Sequence, residues 1–349
     1  MMLDFQDLQI TSSLELKYAK QFQVDYLTNY TLISIYGGDR FLVIPFEEEL
    51  PLNIPADITI IHQPCANIYL AATSAMCLFD ALEALDRITL SGTQAEGWYI
   101  DNARQAMEEG QIIYAGKYSA PDYELLLAKE CGLAIESTML LQKPEVKEKL
   151  ELLGIPVLIE RSSYEEHPLG RLEWIKLYGV LVGKLEFAIE LFETQNAYLL
   201  DIVEVIDPPQ IAFFYISSAG TAVVRKNGDY VTKMIELAGG QYVFSEHEDS
   251  KANGSSNLNM ERFYAEAKDA DIIIYNSSID GEIKTMTELI HKSHLLADFK
   301  AIKDGMVWCT NRNLFQEATS FGMFIEDIQK IILEEVDEGM SLNYLTRLP

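Results

Sequence analysis

The chain has 349 residues, 48% of them hydrophobic, with only 11 Pro and 20 Gly, enough for two packed domains and unlike a disordered tail. Its 54 Asp and Glu outnumber 27 Lys and Arg, a formal charge of −27, so long-range repulsion excludes nucleic acid and anionic lipid surfaces as natural partners. No run of about 18 apolar residues occurs, and Met1 to Thr11 lacks a basic segment followed by an apolar one; the chain reads as globular and soluble, as an exported protein stripped of its signal also would.

The runs TLISIYGG and DRFLVIP predict a hairpin turned at Gly37, Gly38 and Asp39. ITIIH, NIYLAAT, a helix over Ser74 to Leu85, ITLSG, QIIYAG, a helix near Tyr123 to Glu130, LAIEST, a helix over Pro144 to Leu153 closed by Gly154, and PVLIE then alternate. Alternation of this kind predicts βα units on a largely parallel sheet, one α/β lobe. After the loop Arg161 to Gly170 a helix runs through Leu181. A second apolar face at helical spacing, from Leu185 and Ala188 to Val203 and Ile206, predicts one long helix over 185–206, stopped by Asp207-Pro208-Pro209. A second series follows: IAFFYIS, a helix over Asp229 to Ala238 ended at Gly239-Gly240, YVF, a helix over Met260 to Lys268, DIIIYNS, a helix near Ile283 to Lys292, MVWCT, and a last helix over Phe321 to Glu338. The fold class is therefore α/β: two lobes with central, mostly parallel sheets (residues 1–184 and 207–349) joined by the helix 185–206. PDYELLLAKECGLAIEST and NLNMERFYAEAKDADIIIYNSS echo one another across the lobes. Their strand ends, Ser137-Thr138 and Asn276 to Ser278, are expected to face a common ligand cleft.

The order of parts resembles the substrate-binding proteins of bacterial ABC importers, in the class that captures ferric siderophores, haem and cobalamin. The resemblance rests on FQVDYLTNYTLISI, YLAATSAMCLFDALEALDRI, YSAPDYELLL, HPLGRLEWIKLYGVLVGKLEFAIELF, GDYVTKMIELAGGQYVF, NMERFYAEAKDADIIIY and AIKDGMVWCTN, seven pieces in order over nearly the whole chain. It implies two lobes bridged by a rigid helix with a preformed cleft between them, and no catalysis. It implies a location outside the cytoplasm, in the periplasm or as a cell-surface lipoprotein, the signal being absent from this chain. Membrane contact would be only through a removed signal or lipid anchor. The partners implied are an ABC permease and a chelated-metal or tetrapyrrole ligand. A monomer is expected, without resident cofactor, although the ligand itself brings iron or cobalt.

Glu124 and Glu261 each open a helix, where a carboxylate complements the helix dipole; in the family a glutamate of each lobe at this place docks on permease arginines, with Asp122 and Arg262 as neighbouring alternatives. Thr73 and Ser74 end a strand and offer hydroxyls either to a ligand or as helix caps. Tyr164, Glu165, Glu166, His167 and Arg171 make a polar loop that either meets ligand or braces itself by ion pairs. In the second lobe the segment Tyr215 to Arg225 holds Ser217, Ser218, Gly220 and Thr221. Arg225 suits an anionic ligand, or is a turn arginine beside Lys226. Tyr118, Trp98, Tyr99 and Trp308 line an apolar wall or lie in the core, and Asn276 completes the ligand-binding set. His291 and His294 form H-x-x-H but lack a third metal ligand. Cys65, Cys77, Cys131 and Cys309 form no C-x-x-C and read as buried thiols. No P-loop, G-x-S-x-G or H-E-x-x-H occurs. A two-lobed metal-cluster redox enzyme would want clustered thiolates, and a receptor for a bare metal ion would need convergent ligands of which only His167 with Glu165 or Glu166 gives a hint.

Overall fold

A computed structural model describes residues 3–199, 202–244, 254–314, 316–336 and 342–349. The chain packs as two compact units, residues 1–165 with 169–193 and residues 166–168 with 194–349. No helix among the described residues is long and apolar enough to cross a membrane.

The first unit opens with a five-stranded sheet of order β1 (Ile10–Ser13), β2 (Phe22–Leu27), β3 (Tyr30–Ile35), β4 (Arg40–Ile44), β5 (Ile58–His62). The expected hairpin is β3–β4, with Gly37 and Gly38 at φ +105° and +112°, a region that excludes side chains with a Cβ. ITIIH departs from expectation. It is β5, paired parallel to β4 in this sheet rather than in the βα series. Leu27, Tyr30, Leu32, Leu42, Ile44 and Ile58 close one face of the sheet into a small core, while Phe22 meets Trp174 edge-on at 5.0 Å.

The segment 17–21 has no strand partner, so its backbone N–H groups need other acceptors. Two buried carboxylates supply them. Glu173 accepts from Lys17, Tyr18 and Ala19 N–H at 2.8 Å each, and from the Lys176 ammonium at 2.7 Å. Glu165 accepts from Lys20 and Gln21 N–H at 2.8 and 3.0 Å. Glu173 lies on the helix Pro168–Val182, which is buried all round, its mostly apolar surface interrupted by Arg171, Glu173 and Lys176. Gly170 lets the arm approach: a Cβ there would sit 3.2 Å from the Tyr18 carbonyl oxygen.

The strands β6 (Ile68–Leu70), β7 (Ile88–Ser91), β8 (Ile113–Tyr114), β11 (Leu133–Ser137) and β12 (Val157–Glu160) form an all-parallel sheet of order β12-β11-β6-β7-β8. A two-stranded ribbon, β9 (Gly116–Lys117) with β10 (Ala120–Pro121), sits between them in sequence. The helices Met76–Ala81, Tyr123–Ala128 and Pro144–Leu152 fall where helices are expected, and Asp101–Glu108 is a further one; Leu126, Leu140, Val146 and Leu150 bury against Tyr69, Leu90 and Ala134.

The second unit holds a mixed sheet of order β16-β14-β13-β17-β18-β19, with β15 also on β13: β13 (Gln210–Ile216), β14 (Ala222–Arg225), β15 (Gln241–Tyr242), β16 (Ser255–Leu258), β17 (Ile272–Tyr275), β18 (Val307–Thr310), β19 (Leu345–Arg347). β15, β13, β17 and β18 pair parallel, and the continuous apolar run of β17 is buried throughout, as a central parallel strand should be. β14, β16 and β19 are antiparallel additions.

The helix expected over 185–206 is shorter, Leu185–Tyr198, and the division between units falls within it, at 193/194. Residues 200–201 lie outside the described residues, and Ile202 to Ile206 are not helical. The Gln329 amide pairs with both Val203 N–H (3.3 Å) and Val203 C=O (2.9 Å), replacing helical bonds, and Val205 packs on Gly239. Four β-branched residues in five before Asp207-Pro208 also disfavour helix. The last helix likewise stops early, at Ile332, and 337–341 lie outside the described residues.

Candidate functional site

In the first unit the parallel strands end in Thr73-Ser74 beyond β6, Ser91 of β7, Ser137 of β11 and Glu160-Arg161 at β12. Thr73 is exposed and makes no cap. Ser74 donates through Oγ to Glu160 Oε2 at 2.9 Å, and the buried Glu160 carboxylate also accepts Ser162 N–H at 2.9 Å. Tyr118 is half-buried in the turn of the β9–β10 ribbon. Trp98 is core, its Nε1 donating to Ser91 Oγ at 3.2 Å, while Tyr99 is exposed.

The polar loop is rearranged relative to expectation. Glu165 does not present its carboxylate to ligand: it is 1% exposed, holds the arm at 20–21 and accepts from Trp174 Nε1 at 3.0 Å. Burial pushes its pKa up, against the pull of those donors. Arg171 is not a loop residue but lies buried in the first turn of the helix that begins at Pro168. Glu166 is exposed and His167 half-buried. Arg161 was legible only as the start of this loop. Its guanidinium lies 5.3 Å from the Tyr36 ring centre and 4.9 Å from that of Tyr164, and its Nε donates to Gln21 Oε1 at 3.2 Å. Sequence reasoning missed this group because Tyr36 and Arg161 are 125 positions apart.

Glu136 on β11 was not anticipated either. It is fully buried, both carboxylate oxygens lack a hydrogen-bond partner among the described residues, and burial raises its pKa to about 8. Burial likewise pushes the thiols of Cys65 to about 12 and of Cys131 and Cys309 to about 11; all four cysteines are buried thiols outside any disulfide.

In the second unit Ser217 to Thr221 is the turn of the β13–β14 hairpin. Ser217 and Thr221 hydroxyls bond each other at 2.8 Å and Ser217 N–H donates to Thr221 C=O. β14 runs antiparallel to β13, so Arg225 lies beyond Val224, the partner of Phe214, and away from the carboxyl edge where β13 ends at Ile216. Its guanidinium faces the buried Asp229 carboxylate at 3.6 Å, and its backbone is held by Tyr242 OH. The strand reversal, invisible in the sequence, sets Arg225 back from that edge and beside Asp229. Asn276 is buried and caps the helix Ser277–Asp280 through Ser278 N–H (3.3 Å). At the same edge Ser278 Oγ donates to Asn311 C=O (2.9 Å) and Ser277 N–H to Thr310 Oγ1 (3.0 Å), a hydroxyl cluster in which Thr310 and Asn311 were not foreseen. Trp308 is core, 3% exposed. His291 and His294 are exposed, with rings 6.5 Å apart on successive short helices. Among the described residues no group of three or more His, Cys, Asp or Glu converges as a metal site.

The two docking candidates share one local design. Asp122 caps Tyr123–Ala128 by accepting Leu125 N–H at 3.0 Å, and Asn259 caps Met260–Ala267 by accepting Arg262 N–H at 2.9 Å. Each glutamate sits two positions after its cap, exposed. Arg262 is engaged by Glu266 at 2.8 Å. The helices are thus capped without Glu124 and Glu261.

The profile of the periplasmic binding protein family matches residues 75–313, leaving β1 to β6 and β19 outside the match. An uncharacterized lipoprotein of Methanocaldococcus jannaschii is 25% identical, covering 95% of this chain and 85% of its own. A periplasmic haem-binding protein of Vibrio cholerae superposes with a TM-score of 0.62 at 15% identity, over 76% of this chain and 98% of that one. The Fe3+-hydroxamate transport protein of Saccharomonospora viridis gives 0.57 at 17%, over 76% and 92%. At these identities the structural likeness establishes a fold of two α/β lobes.

Proposed function

This chain belongs to the periplasmic binding protein family, and on that premise we propose that it is the extracytoplasmic receptor of an ABC importer, capturing a ferric siderophore, haem or cobalamin and delivering it to the permease without turnover. The observation that carries the reading is the pair Glu124 and Glu261: one exposed carboxylate per lobe, each beside a separate residue that already caps its helix. Surface charges released from a structural duty are suited to orienting an encounter with a basic partner. The haem and Fe3+-hydroxamate proteins among the structural neighbours support the ligand class, and the lipoprotein relative supports tethering at an outer membrane face. Thr73, Ser74, Tyr118 and His167 in the first half of the chain, with Ser217 and Asn276 in the second, are the ligand-contact set that this reading retains. Glu165, Arg171 and Arg225 serve the fold instead.

Native mass spectrometry and absorption spectroscopy after incubation with haem, ferric siderophores and cobalamin test the proposal. A one-to-one complex whose ligand is recovered unchanged is expected. Chemically altered ligand in stoichiometric excess over protein would make the chain an enzyme.

A further inference from the structure

We propose that Tyr36, Arg161 and Tyr164 form an anion-receiving aromatic clamp that takes a negatively charged ligand bearing flat aromatic groups; the inference rests on the receptor reading and narrows its ligand class. Arg161 directly follows β12, at the carboxyl edge of the all-parallel sheet, where open α/β sheets take their ligands. The rings that flank its guanidinium are 65% (Tyr36) and 44% (Tyr164) exposed. Its side chain is oriented by a neutral group, Gln21 Oε1. Among the described residues no carboxylate lies within the 4.0 Å that defines an ion pair, in a chain with twice as many acids as bases. Cation–π attraction holds the guanidinium without neutralising it, whereas a carboxylate would have cancelled its charge.

The clamp is built before any ligand arrives. Gln21 N–H is fixed by the buried Glu165 at 3.0 Å, and Gln21 C=O in turn accepts Tyr36 N–H at 2.8 Å. The hairpin tip that carries Tyr36 is tied down by Asp39 to Lys147 at 2.8 Å. A Cβ on Gly37 would lie 3.6 Å from Arg161 Nη1, so the tip abuts the guanidinium. Glu165 therefore acts on the ligand indirectly, by positioning Gln21. A guanidinium fork suits the paired oxygens of carboxylate or catecholate, and the two exposed rings suit aromatic faces. Tyr36 lies in the turn after β3, N-terminal to the family match, whereas Arg161 and Tyr164 fall within it.

The test is fluorescence titration of the full chain with three probes: a ferric tris-catecholate of net charge −3, haem with its two propionates, and a neutral ferric tris-hydroxamate. The wild-type chain is expected to bind one of the two anionic aromatic probes more tightly than the neutral one, and which of them it prefers separates catecholate from propionate chemistry. Arg161→Gln should weaken that probe by about ten- to 100-fold, the range for a charge-assisted contact. Arg161→Lys should recover part of the loss, and Tyr36→Leu, a change at an exposed ring that leaves folding intact, should weaken the probe several-fold. Equal affinities in wild type, Arg161→Gln and Tyr36→Leu, or a preference for the neutral probe, would overturn the clamp and leave the receptor reading standing. Failure of the wild type to bind any of the three probes would overturn the clamp, and failure to bind cobalamin as well would remove the receptor reading.

Discussion

Replacing Glu136 with Gln tests whether a buried, unpartnered carboxyl makes the first lobe sensitive to alkali. In the folded chain its pKa is about 8, raised from 4.5 by burial alone. Below pH 4.5 the group is protonated in both folded and unfolded chains, and no penalty arises. Between 4.5 and 8 the unfolded chain releases its proton while the folded chain keeps it, so stability falls as pH rises; above 8 both are ionised and the loss levels off. At 1.36 kcal/mol per unit of pKa difference, the full loss is about 5 kcal/mol, a large share of the ~5–15 kcal/mol that holds a domain together. Gln keeps the shape and cannot ionise, so its own burial adds an offset that does not depend on pH. The stability of Glu136→Gln relative to wild type should therefore climb by about 1.4 kcal/mol per pH unit from pH 5 to 8 and then flatten. Urea unfolding in a Trp308→Phe background reads this, because the fluorescence then reports Trp98 and Trp174, both in the first unit. Parallel stability curves for the two proteins across that range would refute the reasoning.

The double substitution Glu124→Arg with Glu261→Arg should leave ligand affinity and helix content intact but abolish uptake by a reconstituted importer; normal uptake would dismiss docking through these carboxylates. Arg225→Ala should lower the stability of the second lobe by about 1–3 kcal/mol, because the buried Asp229 loses its cation, with ligand affinity unchanged within twofold. A calorimetric titration showing tenfold weaker binding would return Arg225 to the ligand site. Glu173→Gln strands the buried Lys176 ammonium and weakens three backbone bonds at once, a loss of about 3–5 kcal/mol. Limited proteolysis should then cut within residues 14–21, and an uncut arm would show that the clamp on it is dispensable.

Local patterns in the sequence determined most of the elements and the family. β–α alternation and the helix stops at Gly154 and Gly239 act within a few residues of themselves, so they can be read one window at a time. The same locality made Glu124 and Glu261 visible as a matched pair. What only the tertiary structure decided depends on partners far apart in the chain. Whether Ile202 to Ile206 continues a helix is set by Gln329, 126 positions from Val203. Whether Glu165 is a ligand group or a brace is set by the backbone N–H groups of Lys20 and Gln21 that donate to it. The direction of β14 carried Arg225 from an expected ligand edge to Asp229, and the β3–β4 hairpin brought Tyr36 to Arg161. A polar side chain's role follows from which desolvated groups face it, and sequence spacing carries that information only within one element.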